Sequence, residues 1–268
     1  MLKKIVRKLF KEKKVPIYTK IRDGEVLKGK NAIVTGGSSG IGFSIAEDFV
    51  KNGCNVVIIG ANEEKLKKAC DKLKNTKFYT LDIEKTELIN ENIRNITKLF
   101  KNNKIDILVN CAGVTNNKSF FEVNSLEFER VLKINVEGYY FMAQAVSKIM
   151  IENKMPGYIL NISSSSESKP AATPYKISKW AVRGMTQGLA EELLPYGIIV
   201  NSIAPGKTAT PMLNASQLDD ISCNAQPNKR YIDPIEIAQI ATMLVSGIGN
   251  SIVGDSIYVS GGNGTFYI

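Results

Sequence analysis

Short apolar runs alternate along this chain with stretches of helical periodicity. Asn31–Thr35 is apolar and ends in glycines. Phe43, Ile45, Ala46, Phe49 and Val50 then recur at helical spacing, and Gly53 follows as a left-handed cap. Asn55–Ile59 has the length of a buried strand, and Glu63–Lys74 that of a polar-faced helix. Phe78–Leu81, Ile105–Val109, Tyr158–Ile162 and Ile198–Ile203 are further strand candidates, with a last one at Ser256–Val259. Strands separated by helices of about 10 residues or more form βαβ units, so the pattern predicts a parallel, doubly wound α/β sheet covered on both faces. No internal repeat, linker or second domain interrupts it. Residues 29–268 read as one domain, and 1–28 as an appended arm.

The arm has a pattern of its own. Leu2, Ile5, Val6, Leu9 and Phe10 form one apolar stripe, with Lys3, Lys4, Arg7, Lys8 and Lys11 between them. Of the formal charge of +9, residues 1–30 carry +8, from eleven basic and three acidic side chains. Three readings stand: docking on the body or on a sister subunit, peripheral contact of residues 1–14 with an anionic membrane surface, or a frayed tail. The remainder, at +1, offers no basic face for nucleic acid.

Composition removes whole classes of chemistry. With no histidine, there is no Ser-His-Asp or Cys-His nucleophile and no His-bound zinc. Cys54, Cys70, Cys111 and Cys223 never form a CxxC pair, so no metal is implied and reduced thiols fit a cytoplasmic protein. The arm keeps contact with the inner face of a membrane open. No apolar run approaches the ~20 residues of a membrane span.

The first chemistry lies in Thr35-Gly36-Gly37-Ser38-Ser39-Gly40-Ile41-Gly42, between the first strand and the first helix. Glycines there let backbone approach a pyrophosphate, and the helix N-terminus adds partial positive charge. Together with Asn110-Cys111-Ala112-Gly113, Tyr175-Lys176-Ile177-Ser178-Lys179 and Pro205-Gly206 followed by Thr210, this turn resembles the short-chain dehydrogenase/reductase family over residues 29–262.

That resemblance implies a Rossmann-type sheet of about seven strands in the order 3-2-1-4-5-6-7. It implies direct hydride transfer between a nicotinamide cofactor and a carbonyl or secondary alcohol. Tyr175 matches the general acid/base, with Lys179 one helical turn on, expected to lower the tyrosine pKa and to bind the nicotinamide ribose. Asn135 matches the asparagine that holds a water in a proton relay. Ser164 matches the serine that bonds the substrate carbonyl, with Ser163 and Ser165 as alternatives. Ten residues separate Ser164 from Tyr175, fewer than is usual in the family. The cofactor set implied is Gly36, Ser38, Ser39, Gly40, Ile41, Gly42, Gly60, Ala61, Asn62, Asp82, Ile83, Asn110, Ala112, Gly113, Tyr175, Lys179, Pro205, Gly206, Thr208 and Thr210. Asn110 reads as structural within it, and Cys111 as a small buried hydrophobe. Relatives are homo-oligomers, tetramers or dimers, through helices near Ser125–Asn153 and Pro174–Leu194.

Strand two ends Ile58-Ile59-Gly60-Ala61-Asn62, with neither an aspartate for a ribose hydroxyl nor an arginine for a 2′-phosphate. Gly60 leaves room and adds no repulsive carboxylate, which favours NADP(H) over NAD(H), with Ser38, Ser39, Asn62 and Lys65 as contacts. The loop Lys207–Ile232 is mostly polar, as are Asn116, Asn117 and Lys118. These features predict a small polar substrate such as a keto-sugar or polyol derivative, with Lys207 or Lys118 facing an anionic group. A β-ketoacyl thioester reductase and a non-catalytic dinucleotide sensor are the alternatives. Arg230 reads as structural.

Overall fold

The computed structural model describes residues 25–264, apart from Asn75, Asn117, Asn214 and 216–220. The apolar runs become strands β1 Asn31–Thr35, β2 Asn55–Gly60, β3 Lys77–Thr80, β4 Ile107–Asn110, β5 Gly157–Ile162, β6 Ile198–Pro205 and β7 Ser256–Val259. They form one sheet in the order β3-β2-β1-β4-β5-β6-β7, every neighbouring pair parallel. Strand boundaries shift where side chains take over backbone partners. Asp106, expected inside β4, instead accepts the Asn31 amide on its carboxylate at 2.9 Å, and the ladder starts one residue later.

Alternate residues of each strand serve two cores. Ile33, Val57, Ile59, Leu108, Ile159 and Val200 face one side, covered by α3 Ile89–Thr97, α5 Gly138–Glu152 and α6 Pro174–Leu193. Ala32, Val34, Val56, Ile58, Ile107 and Leu160 face the other, under α1 Gly40–Lys51, α2 Glu63–Lys72 and α7 Pro234–Val245. Helix α4, Ser125–Leu132, lies in the β4–β5 connection. Both faces are apolar because both are covered, which is why the strands read as continuous apolar runs.

Local signals set the helix ends. Gly53 follows α1 at φ +84°. Asn124 with Glu127, and Asp233 with Glu236, form reciprocal capping boxes on α4 and α7. Thr173 caps α6 ahead of Pro174 at its first turn. Helix α2 stops at Lys72, two residues short of expectation, because Leu73 leaves helical geometry and is buried.

The stripe over residues 1–14 lies outside the described residues. Leu27, within the stretch read as arm, is fully buried and belongs to the second core. Among the described residues, no helix is long and apolar enough to cross a membrane.

Candidate active site

Strand order reverses direction between β1 and β4, which opens a crevice at the carboxyl ends of the two strands. The glycine turn enters it from β1. Gly36 is at φ +67°, and a Cβ there would stand 2.8 Å from the Ala112 Cα. A Cβ on Gly42 would stand 2.5 Å from the Gly36 carbonyl oxygen. Ser39 precedes α1 without a side-chain cap, so the first amides of the helix have no side-chain acceptor. A turn that a methyl group would fill and an uncapped helix start fit the pyrophosphate of a dinucleotide.

Thr35 ties this turn to the next. Its hydroxyl oxygen accepts from the Cys111 and Ala112 amides at 2.9 and 3.1 Å. Asn110 points away from the crevice: fully buried, it donates to the Tyr139 carbonyl at 3.2 Å and to the Asn161 side chain at 3.1 Å. It locks β4 to β5 and α5 beneath the site.

The glycine turn, Cys111-Ala112-Gly113, Ile162-Ser163, Tyr175, Lys179 and Thr210-Pro211-Met212 enclose a cleft of about 200 Å³. Tyr175 is the second residue of α6, and Lys179 lies one turn on, 4% exposed. The Lys179 ammonium donates to the Ile162 carbonyl at 2.9 Å and lies 5.6 Å from the ring centres of both Tyr139 and Tyr175. The Ser164 side chain acts on the Tyr175 phenol, and its hydroxyl accepts the Ser166 amide at 3.1 Å. Its neighbours are turned elsewhere: Ser163 donates to the Lys179 carbonyl at 3.4 Å, and Ser165 is buried in the following turn.

Asn135 lies in a π turn, Lys133–Glu137, between α4 and α5. Its amide donates to the Val114 carbonyl at 2.9 Å and to the Ser178 hydroxyl at 3.1 Å. Its side-chain oxygen accepts the Val114 amide at 2.9 Å. Ser178 donates in turn to the Tyr175 carbonyl at 2.6 Å, so Asn135 is bonded into the start of α6.

Burial governs the charges. It pushes the Tyr175 phenol up, with the Ser164 hydrogen bond in partial opposition. This corrects the expectation of a lowered phenol. The cation expected to lower it is turned to the Ile162 carbonyl, and burial pushes Lys179 itself down to about 8. The Cys111 thiol is driven up to about 12 and stays neutral, as expected of a buried hydrophobe.

A second hollow, of about 310 Å³, shares Ser38, Ser39 and Gly40 with the cleft and runs along α2 past Lys65, Lys68 and Lys72. None of these lysines pairs with a carboxylate among the described residues. Lys68 and Lys72 were not anticipated, although their i+3 and i+7 spacing from Lys65 is a readable signal. Gly60 and Ala61 end the second strand. Asn62 spends its side-chain oxygen on capping α2, accepting the Lys65 amide at 2.9 Å.

The other expected residues make these contacts. Asp82 accepts the Glu84 amide at 3.1 Å, and Ile83 is buried against Gly138. Pro205 and Gly206 lead into a turn held by Gln226, which bonds both the amide and the carbonyl of Lys207 at 2.9 Å. Thr208 is buried there and donates to the Gly206 carbonyl at 3.0 Å, while Thr210 faces Gly40 across the cleft. Lys118, expected to face a substrate anion, is instead paired with Glu127 at 2.6 Å. Arg230 is forked onto Glu236 at 2.7 and 2.8 Å, a structural pair.

Beside Tyr175, Phe120, Val123, Phe128, Ala171, Ala172 and Pro174 border an apolar hollow of about 490 Å³. A polar hollow of about 400 Å³, with Thr115, Asn116 and Arg130 in its wall, lies behind the Asn-Cys-Ala-Gly turn.

The family model for short chain dehydrogenases matches residues 30–220. A 3α-hydroxysteroid dehydrogenase of Mediterraneibacter gnavus is 35% identical over 248 residues, 88% of this chain and 97% of that protein. A 3-oxoacyl-acyl-carrier-protein reductase of Aquifex aeolicus is 33% identical over 245 residues, 88% of this chain and 98% of that protein. The crystal structure of a gluconate 5-dehydrogenase of Burkholderia cenocepacia, in complex with NADP and tartrate, superposes with a TM-score of 0.80. It is 28% identical and covers 90% of this chain and 97% of its own.

Proposed function

This chain belongs to the short-chain dehydrogenase/reductase family and is an NAD(P)-dependent oxidoreductase; from that premise we propose that it interconverts a small polar carbonyl compound and its secondary alcohol, with NADP(H) preferred. The observation that carries the reading is that Tyr175 and a buried Lys179 line one cleft with the glycine turn, with Ser164 acting on the phenol. When bound, the cofactor gives or takes a hydride at the nicotinamide ring. Tyr175 gives its hydroxyl proton to the carbonyl oxygen in reduction and withdraws it in oxidation. Ser164 donates to the same oxygen as negative charge builds there. Lys179 supplies positive charge beneath the phenol, and Asn135 holds the start of α6 in register.

The NADP(H) preference is supported by the unpaired Lys65, Lys68 and Lys72 beside Ser38 and Ser39, and by the absence of a carboxylate at Gly60. The polar substrate is supported by the polar wall behind the Asn-Cys-Ala-Gly turn and by the sugar-acid dehydrogenase neighbour. The apolar hollow beside Tyr175 favours a second reading, reduction of a β-ketoacyl thioester, the substrate class named for the Aquifex relative. A second copy of the chain is the partner we infer for Phe121 and Leu126, which are 93% and 74% exposed.

NADPH oxidation against keto-sugars, their phosphates, a β-ketoacyl thioester and a steroid ketone tests these readings. Turnover of the polar compounds, reduced about 10²–10⁴-fold in Tyr175→Phe with cofactor affinity kept, is the expected result. Turnover of the thioester alone replaces the first reading with the second. Equal turnover by Tyr175→Phe removes Tyr175 from the chemistry.

A further inference from the structure

Beyond β7 the chain is bonded to both walls of the cleft. One set of bonds goes to the base of the polar loop. The Gly206 amide donates to the Val259 carbonyl at 3.0 Å, and the Asn228 amide to the Gly261 carbonyl at 3.2 Å. This base leads into Thr210-Pro211-Met212, one wall of the cleft. The other set goes to the segment between Ser164 and Tyr175, which follows the Ile162-Ser163 wall.

That segment begins with a tight turn, Ser165–Ser168, in which Ser165 and Glu167 are buried. The Ser166 amide donates to the Ser164 hydroxyl at 3.1 Å, so the turn sets the direction of that side chain. The Glu167 amide donates to the Ser164 carbonyl at 2.9 Å, and the Lys169 amide to the Ser166 carbonyl at 3.2 Å. Residues 170–172 then run exposed toward α6, with no core packing to hold them. The turn is tied down from elsewhere. The Ser168 hydroxyl donates to the Gly264 carbonyl at 3.0 Å. Gly264 is at φ +92°, and a Cβ there would stand 2.7 Å from the Ser165 carbonyl oxygen. The Lys169 ammonium donates to the Asn263 side-chain oxygen, 94 residues away in the chain. The Lys169 carbonyl accepts the Trp180 indole of α6 at 2.8 Å, so Lys169 is held at both ends. Nothing in the proposed chemistry uses these contacts.

We propose that Asn263 and Gly264 are positioning residues for Ser164: through Lys169 and Ser168 they fix the turn that directs its hydroxyl at the reacting carbonyl oxygen. The inference rests on the role given above to Ser164. A donor that answers charge on a reacting oxygen acts only when it is held in place beforehand, and a small misplacement is costly in rate. The same short stretch also holds the base of the polar loop, so it sets the two walls of the cleft against each other.

Kinetics of the full chain test the tie. Asn263→Ala is expected to lower kcat about tenfold, with NADPH affinity and substrate KM kept. Lys169→Met should do the same, and the double variant should be no slower than either, because both cut one tie. Asn263→Asp keeps an acceptor for the ammonium and should keep the rate. In a Ser164→Ala background, Asn263→Ala should slow the enzyme no further. An equal loss there makes Asn263 merely structural and overturns the proposal, as does an unchanged kcat in both single variants. Hydrogen exchange at the Ser166, Glu167 and Lys169 amides reads the tie without turnover. Asn263→Ala should speed it about tenfold and leave the β1 amides unchanged. Unchanged exchange at the turn overturns the proposal. Should Asn263→Ala fail to fold, Lys169→Met carries both measurements. Inactivity of the parent enzyme on every carbonyl would sink the functional reading and leave exchange to judge this one.

Discussion

Tyr175 and Lys179 are one helical turn apart, but only the folded environment sets what that spacing means. A surface lysine at this position would carry its charge at every ordinary pH. Here burial brings Lys179 down to about 8, below its ordinary 10.5. The charged form is therefore lost as pH rises through about 8, while the raised phenol keeps its proton. Reductive kcat/KM should fall above about pH 8, and a steady-state profile from pH 6 to about pH 10 checks it. A rate flat to pH 10 would mean that the ammonium does not take part. At this scale the sequence shows which residue types are present, and the environment decides their state. Four consecutive serines, Ser163 to Ser166, look alike on paper, whereas Ser164 is the one that acts on the Tyr175 phenol.

Elements were more legible than single residues. The strands and helices follow from runs of Val and Ile, from helical spacing, and from caps such as Thr173-Pro174 and Asp233-Glu236. Their ends moved by one or two residues where Asp106 or Leu73 found a tertiary partner. The glycine turn could be recognised, but the reason for each glycine could not. Gly42 is required because of the Gly36 carbonyl 2.5 Å from where its Cβ would be. Gly42→Ala should open the turn at a cost of about 1–3 kcal/mol and weaken NADPH binding by roughly tenfold or more. Fluorescence titration of NADPH reads this directly, and unchanged affinity would separate the turn from the cofactor. The lysine face of α2 obeys the same division. The spacing of the lysines in Glu63–Lys74 is visible in the sequence, but which way they point depends on how α2 packs beside the glycine turn.

For the whole molecule, the parallel seven-stranded order agrees with expectation. The surface tells more than the pattern did. Phe120, Phe121, Leu126 and Trp180 are 45% to 93% exposed on α4, α6 and the segment before α4. If a second copy covers this face, Phe121→Glu with Leu126→Glu should yield a smaller species with unchanged secondary structure. Sedimentation velocity measures it, and a variant of parental mass would send the partner elsewhere. The paired Lys118 and the apolar hollow beside Tyr175 likewise belong to this scale. They arise where the β4–α4 segment meets the start of α6, segments some 50 residues apart in the chain.

The sequence by itself determined the α/β class, the alternation of strands and helices, the glycine turn and the Tyr175–Lys179 spacing. All of these rest on short-range periodicity, chain stereochemistry and residue identity. The tertiary structure alone decided that Asn110 faces inward, that Lys118 is paired, that Ser164 acts on Tyr175 and that Glu167 is fully buried. Those outcomes depend on burial and on contacts between distant segments. Electrostatic interactions strengthen steeply once water is excluded, so the packing of the whole chain sets the chemistry of its site.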